Sequence, residues 1–74
     1  MITLGDAKGR VRIREIIGEK DFVRRLADMG LAPGQIVEVL SQGNAVVLRV
    51  RDAKIALGKG IAKRVVVEVE DEHG

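Results

Sequence analysis

The 74-residue chain has no cysteine, tryptophan or tyrosine, one phenylalanine, one proline, and a single histidine, serine and threonine. Without cysteine there is neither a disulfide framework nor a thiolate zinc site. Without Trp or Tyr there is no aromatic-lined groove for PxxP peptides. With Phe22 as the only aromatic ring, there is no stacking platform for single-stranded nucleic acid either. The longest uninterrupted apolar run, Ala45 to Leu48, falls far short of the ~20 residues that span a bilayer. Met1-Ile2-Thr3-Leu4 lacks the basic region and apolar stretch of a secretory signal. A cytoplasmic protein is expected.

What is present describes one small domain over residues 1–74. Apolar burial contributes roughly 107 kcal/mol to a chain of this length. Ordering it costs roughly 111 kcal/mol, which leaves room for one core and no deep cleft. Hydrophobic residues make up 46% and charged residues 32%, a globular balance. Net charge is only +2, but its distribution is uneven. Glu68, Glu70, Asp71 and Glu72 form an acidic tail at about 68–74, so residues 1–67 carry 13 positive and 7 negative groups.

The hydrophobic period divides the chain. Val11 and Ile13 alternate with Arg10, Arg12 and Arg14, which predicts a strand over 10–16. The phase shifts between Ile13 and Ile16, the mark of a bulge or a strand end. From about 19 to 29 the period becomes helical: Phe22, Leu26 and Met29 share a face with Val23 and Ala27 alongside. Asp21 and Arg25 form an i,i+4 pair. Gly30 stands where a left-handed residue closes a helix. Leu31-Ala32-Pro33-Gly34 then reads as a turn.

Strands over 36–40 and 45–51 flank a hairpin at 41–44, with Val46, Leu48 and Val50 on one face and Val47, Arg49 and Arg51 on the other. A turn at Asp52-Ala53 leads to a strand over 54–57, a short helical turn near 59–63, and a last strand over 65–69. About five short strands around one helix is the pattern of a mainly β protein, a small β-barrel. Its core takes Val11, Ile13, Val37, Val39, Val46, Leu48, Val50, Ile55, Val65 and Val67.

Chemistry-bearing groups are few. His73 lies in the acidic tail and cannot orient Ser41 as a nucleophile, so no enzyme is expected. Gly58-Lys59-Gly60 lacks the spacing and hydroxyl of a phosphate-binding Walker loop, since Ala53 and Gly60 stand at its key positions. Glu70, Asp71, Glu72 and His73 are the only weak candidates for a divalent metal ion. No cofactor is expected beyond a loosely held transition metal such as Fe2+. The stripe Arg10, Arg12 and Arg14, without aromatic neighbours, reads as a solvated face or a contact to an acidic protein, not to nucleic acid.

Four segments together carry a family resemblance. They are Arg25 to Gly34 with its Leu26…Met29-Gly30-Leu31…Pro33-Gly34 block, then Val37-Glu38-Val39, then Ile55 to Gly58 with Ala62 to Val67. The chain resembles the FeoA family over nearly its whole length. It departs at Met29, where the family often has Leu, and at Asp52-Ala53, where a Gly is common. The resemblance implies an SH3-like barrel with a helix inserted after the first long strand. It also implies a non-enzymatic accessory role in bacterial and archaeal ferrous iron uptake. The implied partner is the membrane transporter FeoB with its cytoplasmic GTPase domain, through which alone the chain would meet the membrane. The alternative is a stand-alone, metal-responsive regulatory domain similar to the C-terminal domain of iron-dependent repressors. The partner surface expected from the residues joins Leu31 and Pro33 to a basic rim of Arg24 and Arg25. Leu31 has a second reading as plain core.

Overall fold

Wherever the chain alternates with period two it forms a strand, and every strand turns its apolar set toward one core. A computed structural model describes residues 1–70. Its first long strand, β2, spans Gly9–Ile16, preceded by a two-residue strand, β1, at Ile2–Thr3. Helix α1 follows at Lys20–Asp28. Strands β3 (Ile36–Ser41), β4 (Ala45–Val50) and β5 (Ala53–Gly58) form a meander, and the short helix α2 (Lys59–Ala62) leads to β6 (Val65–Val69). The strands make one antiparallel sheet in the order β1-β6-β2-β3-β4-β5. β1 and β5 are its edges and do not pair, so the small SH3-like fold is open along one seam.

There are thus six strands where the periodicity marks five. β1 is too short to show a period, and its pairing with β6 defines it. The bulge in β2 lies where the phase shift puts it. The ladder to β6 slips between Ile13 and Glu15, leaving Arg14 unmatched. Ile13 and Ile16 can then both turn inward despite their odd spacing. A second slip between Val39 and Ser41 sends Leu40 to the surface. Val50 pairs with Ala53, so the β4–β5 turn is Arg51-Asp52, one residue earlier than the composition indicates. Nine of the ten expected core residues are buried; Ile55 is only half-buried, and Leu57 fills the core at that edge.

The helix buries a narrower face than its period implies. Leu26 is buried and Phe22 and Val23 pack against the core, while Ala27 is exposed and Met29 is 44% exposed. The cause is the way the helix ends. Gly30 has φ +89°, its N–H donates to Ala27 O at 2.9 Å, and the Leu31 N–H reaches back to Leu26 O at 2.9 Å. That is a Schellman motif, in which the residue after the left-handed glycine packs onto the last helical turn. Leu31, rather than Met29, therefore completes the apolar face. Pro33 and Gly34 then sit at the centre of a turn closed by Gln35 N–H to Ala32 O at 3.0 Å, with Gly34 at φ +94°.

Candidate interaction surface

The surface expected beyond the helix is only partly available. Leu31 is 0% exposed and cannot be the apolar centre of a contact. Pro33, Arg24 and Arg25 are exposed, and Met29 is the large apolar side chain that the helix end presents. Arg24, not Arg25, pairs with Asp21, at 3.7 Å between strongly exposed groups. Such a pair adds little to stability. Arg25 instead borders a recess with Glu19, Asp21, Phe22 and Arg64. The Arg64 guanidinium there lies 5.1 Å from the Phe22 ring centre, a cation–π contact. Gly18 backs the same ring so closely that an added Cβ would sit 2.5 Å from Phe22 Cδ2.

Leu26, Met29, Gly30 and Gly34, the residues that mark the family block, all serve the α1–β3 corner. Gly30 is also pressed against β4: a Cβ there would lie 2.9 Å from Val50 Cγ1. The C-terminal end of α1 and the β4–β5 turn thus occupy the same end of the molecule. Arg12 ties this corner to the last strand. Its guanidinium donates to Glu70 Oε1 at 2.8 Å and to Gly34 O at 3.3 Å, and the Glu70 N–H donates to Arg10 O at 3.0 Å. Arg12 is therefore engaged rather than a free member of the arginine stripe.

The same contact changes the reading of the acidic tail. Glu70 places its carboxylate on Arg12, which uses it as a fastening. Asp71, Glu72 and His73 lie outside the described residues. Among the described residues no three His, Cys, Asp or Glu side chains gather as metal ligands. Lys59 also has a fixed task. Its ammonium donates to Gly5 O at 3.1 Å and Gln42 Oε1 at 2.9 Å, while Gln42 Nε2 donates to Leu4 O and Ala7 O, both at 2.8 Å. Lys59 follows β5 and Gly5 follows β1, so this network closes the open seam by side chains. The Gly58-Lys59-Gly60 segment is a strand-to-helix corner with a latch. Neither Gln42 nor Lys59 announces this in the sequence, because the partners, three backbone carbonyls and the other side chain, are distant along the chain.

A second surface escaped the sequence reading. An open groove of about 320 Å³ on the outer face of β2, β3 and β4 is lined by Arg10, Ile36, Val37, Glu38, Arg49 and Arg51. Its signal was the outward placement of Arg49 and Arg51, of which β4 carries Arg49 and the following turn Arg51. The groove carries three arginines, Arg10, Arg49 and Arg51, against one acid, Glu38.

Comparison with known proteins places this geometry. The FeoA domain family matches residues 3–69. A curated relative, RNA-binding protein KhpA of Aquifex aeolicus (strain VF5), is 33% identical over 66 residues, 89% of this chain and 80% of that protein. An FeoA-like protein from Clostridium acetobutylicum superposes with a TM-score of 0.81 at 29% identity, over 99% of this chain and 91% of that one. FeoA from Stenotrophomonas maltophilia was solved with zinc, as a prokaryotic SH3 domain protein proposed to act as a ferrous iron transport activating factor. It matches at TM-score 0.71 and 25% identity, over 92% and 90% of the two chains. ScaR with bound Cd2+ matches at 0.84 and 26%, over 93% of this chain but only 36% of ScaR.

Proposed function

Because the chain belongs to the FeoA domain family across residues 3–69, we propose that it is a non-enzymatic accessory protein of ferrous iron uptake that acts by contact with the FeoB transporter. One observation carries this reading. The family match and the SH3-like fold cover essentially the whole described chain, and the exposed Arg24, Arg25, Arg49 and Arg51 are among the basic groups offered to an acidic partner. Among the described residues no helix is long and apolar enough to cross a membrane. On the accessory-protein reading the chain works in the cytoplasm, on the transporter's cytoplasmic domain.

The likeness to ScaR supports a second reading, a stand-alone regulatory domain that responds to a weakly held divalent metal. RNA binding would rest on the name of the Aquifex relative. The lone aromatic, Phe22, is half-buried beside Arg64 and offers no platform for bases.

The deciding experiment measures association of the chain with the transporter's cytoplasmic domain at low and physiological salt. Basic rim residues mainly set association rate and its salt dependence. Association should slow as salt rises, and Arg24→Glu with Arg25→Glu should slow it several-fold further with the fold intact. No binding by the native chain, together with saturable one-per-chain Fe(II) uptake in anaerobic calorimetry, would transfer the assignment to the regulatory reading.

A further inference from the structure

One row of side chains crosses the outer face of four strands. Arg10 of β2 stands opposite Glu38 of β3, Glu38 opposite Arg49 of β4, and Arg49 opposite Lys54 of β5. Two cations directly opposed in a ladder destabilise it. Glu38 relieves this little, since it meets Arg49 at 3.6 Å with both groups about half-exposed. The adjoining turn holds Arg51 at φ 56°, in the left-handed region where Gly or Asn is at ease. Among the described residues neither Arg51 nor Lys54 has an ion-pair partner. One hairpin thus accepts two costs, both at residues that add positive charge to an exposed face. Backbone strain of the Arg51 kind clusters at active sites, ligand clamps and switch regions.

The neighbouring edge supplies the second half of a site. β5 pairs only with β4, so every second backbone N–H and C=O along it points away from the sheet. Its Gly58 end is closed off by the Lys59–Gly5 contact, which leaves Ala53 to Leu57 open. Apart from Lys54, that stretch bears no charge that would repel an added strand.

From this arrangement the geometry points to a docking site for an extended acidic segment of a partner protein, laid along β5 with its carboxylates over Arg49, Arg51 and Lys54. Main-chain hydrogen bonds to the edge would supply affinity, and the three cations would select for acidic side chains. A nucleic-acid backbone fits less well, because Glu38 stands in the same row and no aromatic ring lies among the groove's residues. The inference deepens the accessory-protein reading and rests on it only for the identity of the partner.

The test uses the full chain and Lys54→Glu, which removes the opposed cations, with Arg51→Gly as the second variant. Lys54→Glu should raise Tm by about 2–4 °C and weaken binding to the transporter's cytoplasmic domain at least tenfold. Arg51→Gly should likewise stabilise the fold and weaken binding. Poly-L-glutamate, followed by amide chemical shifts, should perturb residues of β4 and β5 more than those of α1. Stronger perturbation by an RNA oligomer of equal charge would overturn the protein assignment. Unchanged affinity in Lys54→Glu, while the native chain binds the transporter domain, would overturn the docking site and leave the accessory role standing. If the native chain does not bind that domain, the accessory role fails, and the poly-L-glutamate shifts decide the docking site by themselves: absent from β4 and β5, they overturn it.

Discussion

The two sides of the seam are held together by different means. On the β1 side, the loop from Leu4 to Ala7 is pinned by side chains that come from far along the sequence, Gln42 and Lys59, through three hydrogen bonds, and a fourth joins the two side chains. On the β5 side, the β4–β5 hairpin depends on its own ladder, a buried row of Val46, Leu48 and Val50, and a turn with an arginine in left-handed geometry. The first region spends polar groups on stability. The second leaves polar groups outward and accepts strain. Polar side chains that satisfy buried carbonyls rigidify a fold, whereas charged groups left without partners are free for recognition.

The comparison can be broken most severely at the point where the helix end meets the hairpin. Gly30→Val combines a β-branched residue at positive φ with a contact against Val50, and chemical denaturation should show a loss of more than about 2 kcal/mol. A neutral result would mean that the helix end does not require its left-handed glycine.

The next effect tests the pinned side. Gln42→Leu and Lys59→Met each remove the partners of two main-chain carbonyls or of one carbonyl and one amide. Each should cost about 1–2 kcal/mol. Because the two side chains touch, the double variant should show a coupling of at least about 0.5 kcal/mol in a thermodynamic cycle. Strict additivity would show that the latch is two separate fastenings.

The smallest effect has the opposite sign. Arg51→Gly relieves the left-handed arginine but adds chain entropy to the unfolded state, so unfolding should show a net gain of only about 0.5 kcal/mol. A loss would indicate that Arg51 contributes contacts that outweigh its backbone geometry, and would erase the contrast between the two sides.

Much of the fold could be read directly. The arginine–valine alternation of β2, its phase break between Ile13 and Ile16, and the outward pair Val47 and Arg49 are local patterns, and local sterics translate them into strands. The helix and its glycine stop are local in the same way. The corner after the helix was half legible. A glycine stop followed by Leu31 carries the Schellman pattern, yet the apolar loop residue admitted a surface role as well as a core one, and packing onto Leu26 selected the core. The candidate surfaces were less legible. Arg24, Arg25 and Pro33 could be named from composition and position, while the row from Arg10 through Glu38 and Arg49 to Lys54 exists only once four strands are in register.

By itself, then, the sequence determined the order of the elements, the inward and outward faces of each long strand, the place of the bulge and the end of the helix. Each depends on side-chain period or backbone preference within a few residues. The tertiary structure alone decided that Ile2 and Thr3 form a strand, that Gln42 and Lys59 close the seam, that Arg12 holds Glu70, and that Lys54 faces Arg49. These depend on contacts between residues distant along the chain, whose geometry is set by sheet register and by the volume of a shared core.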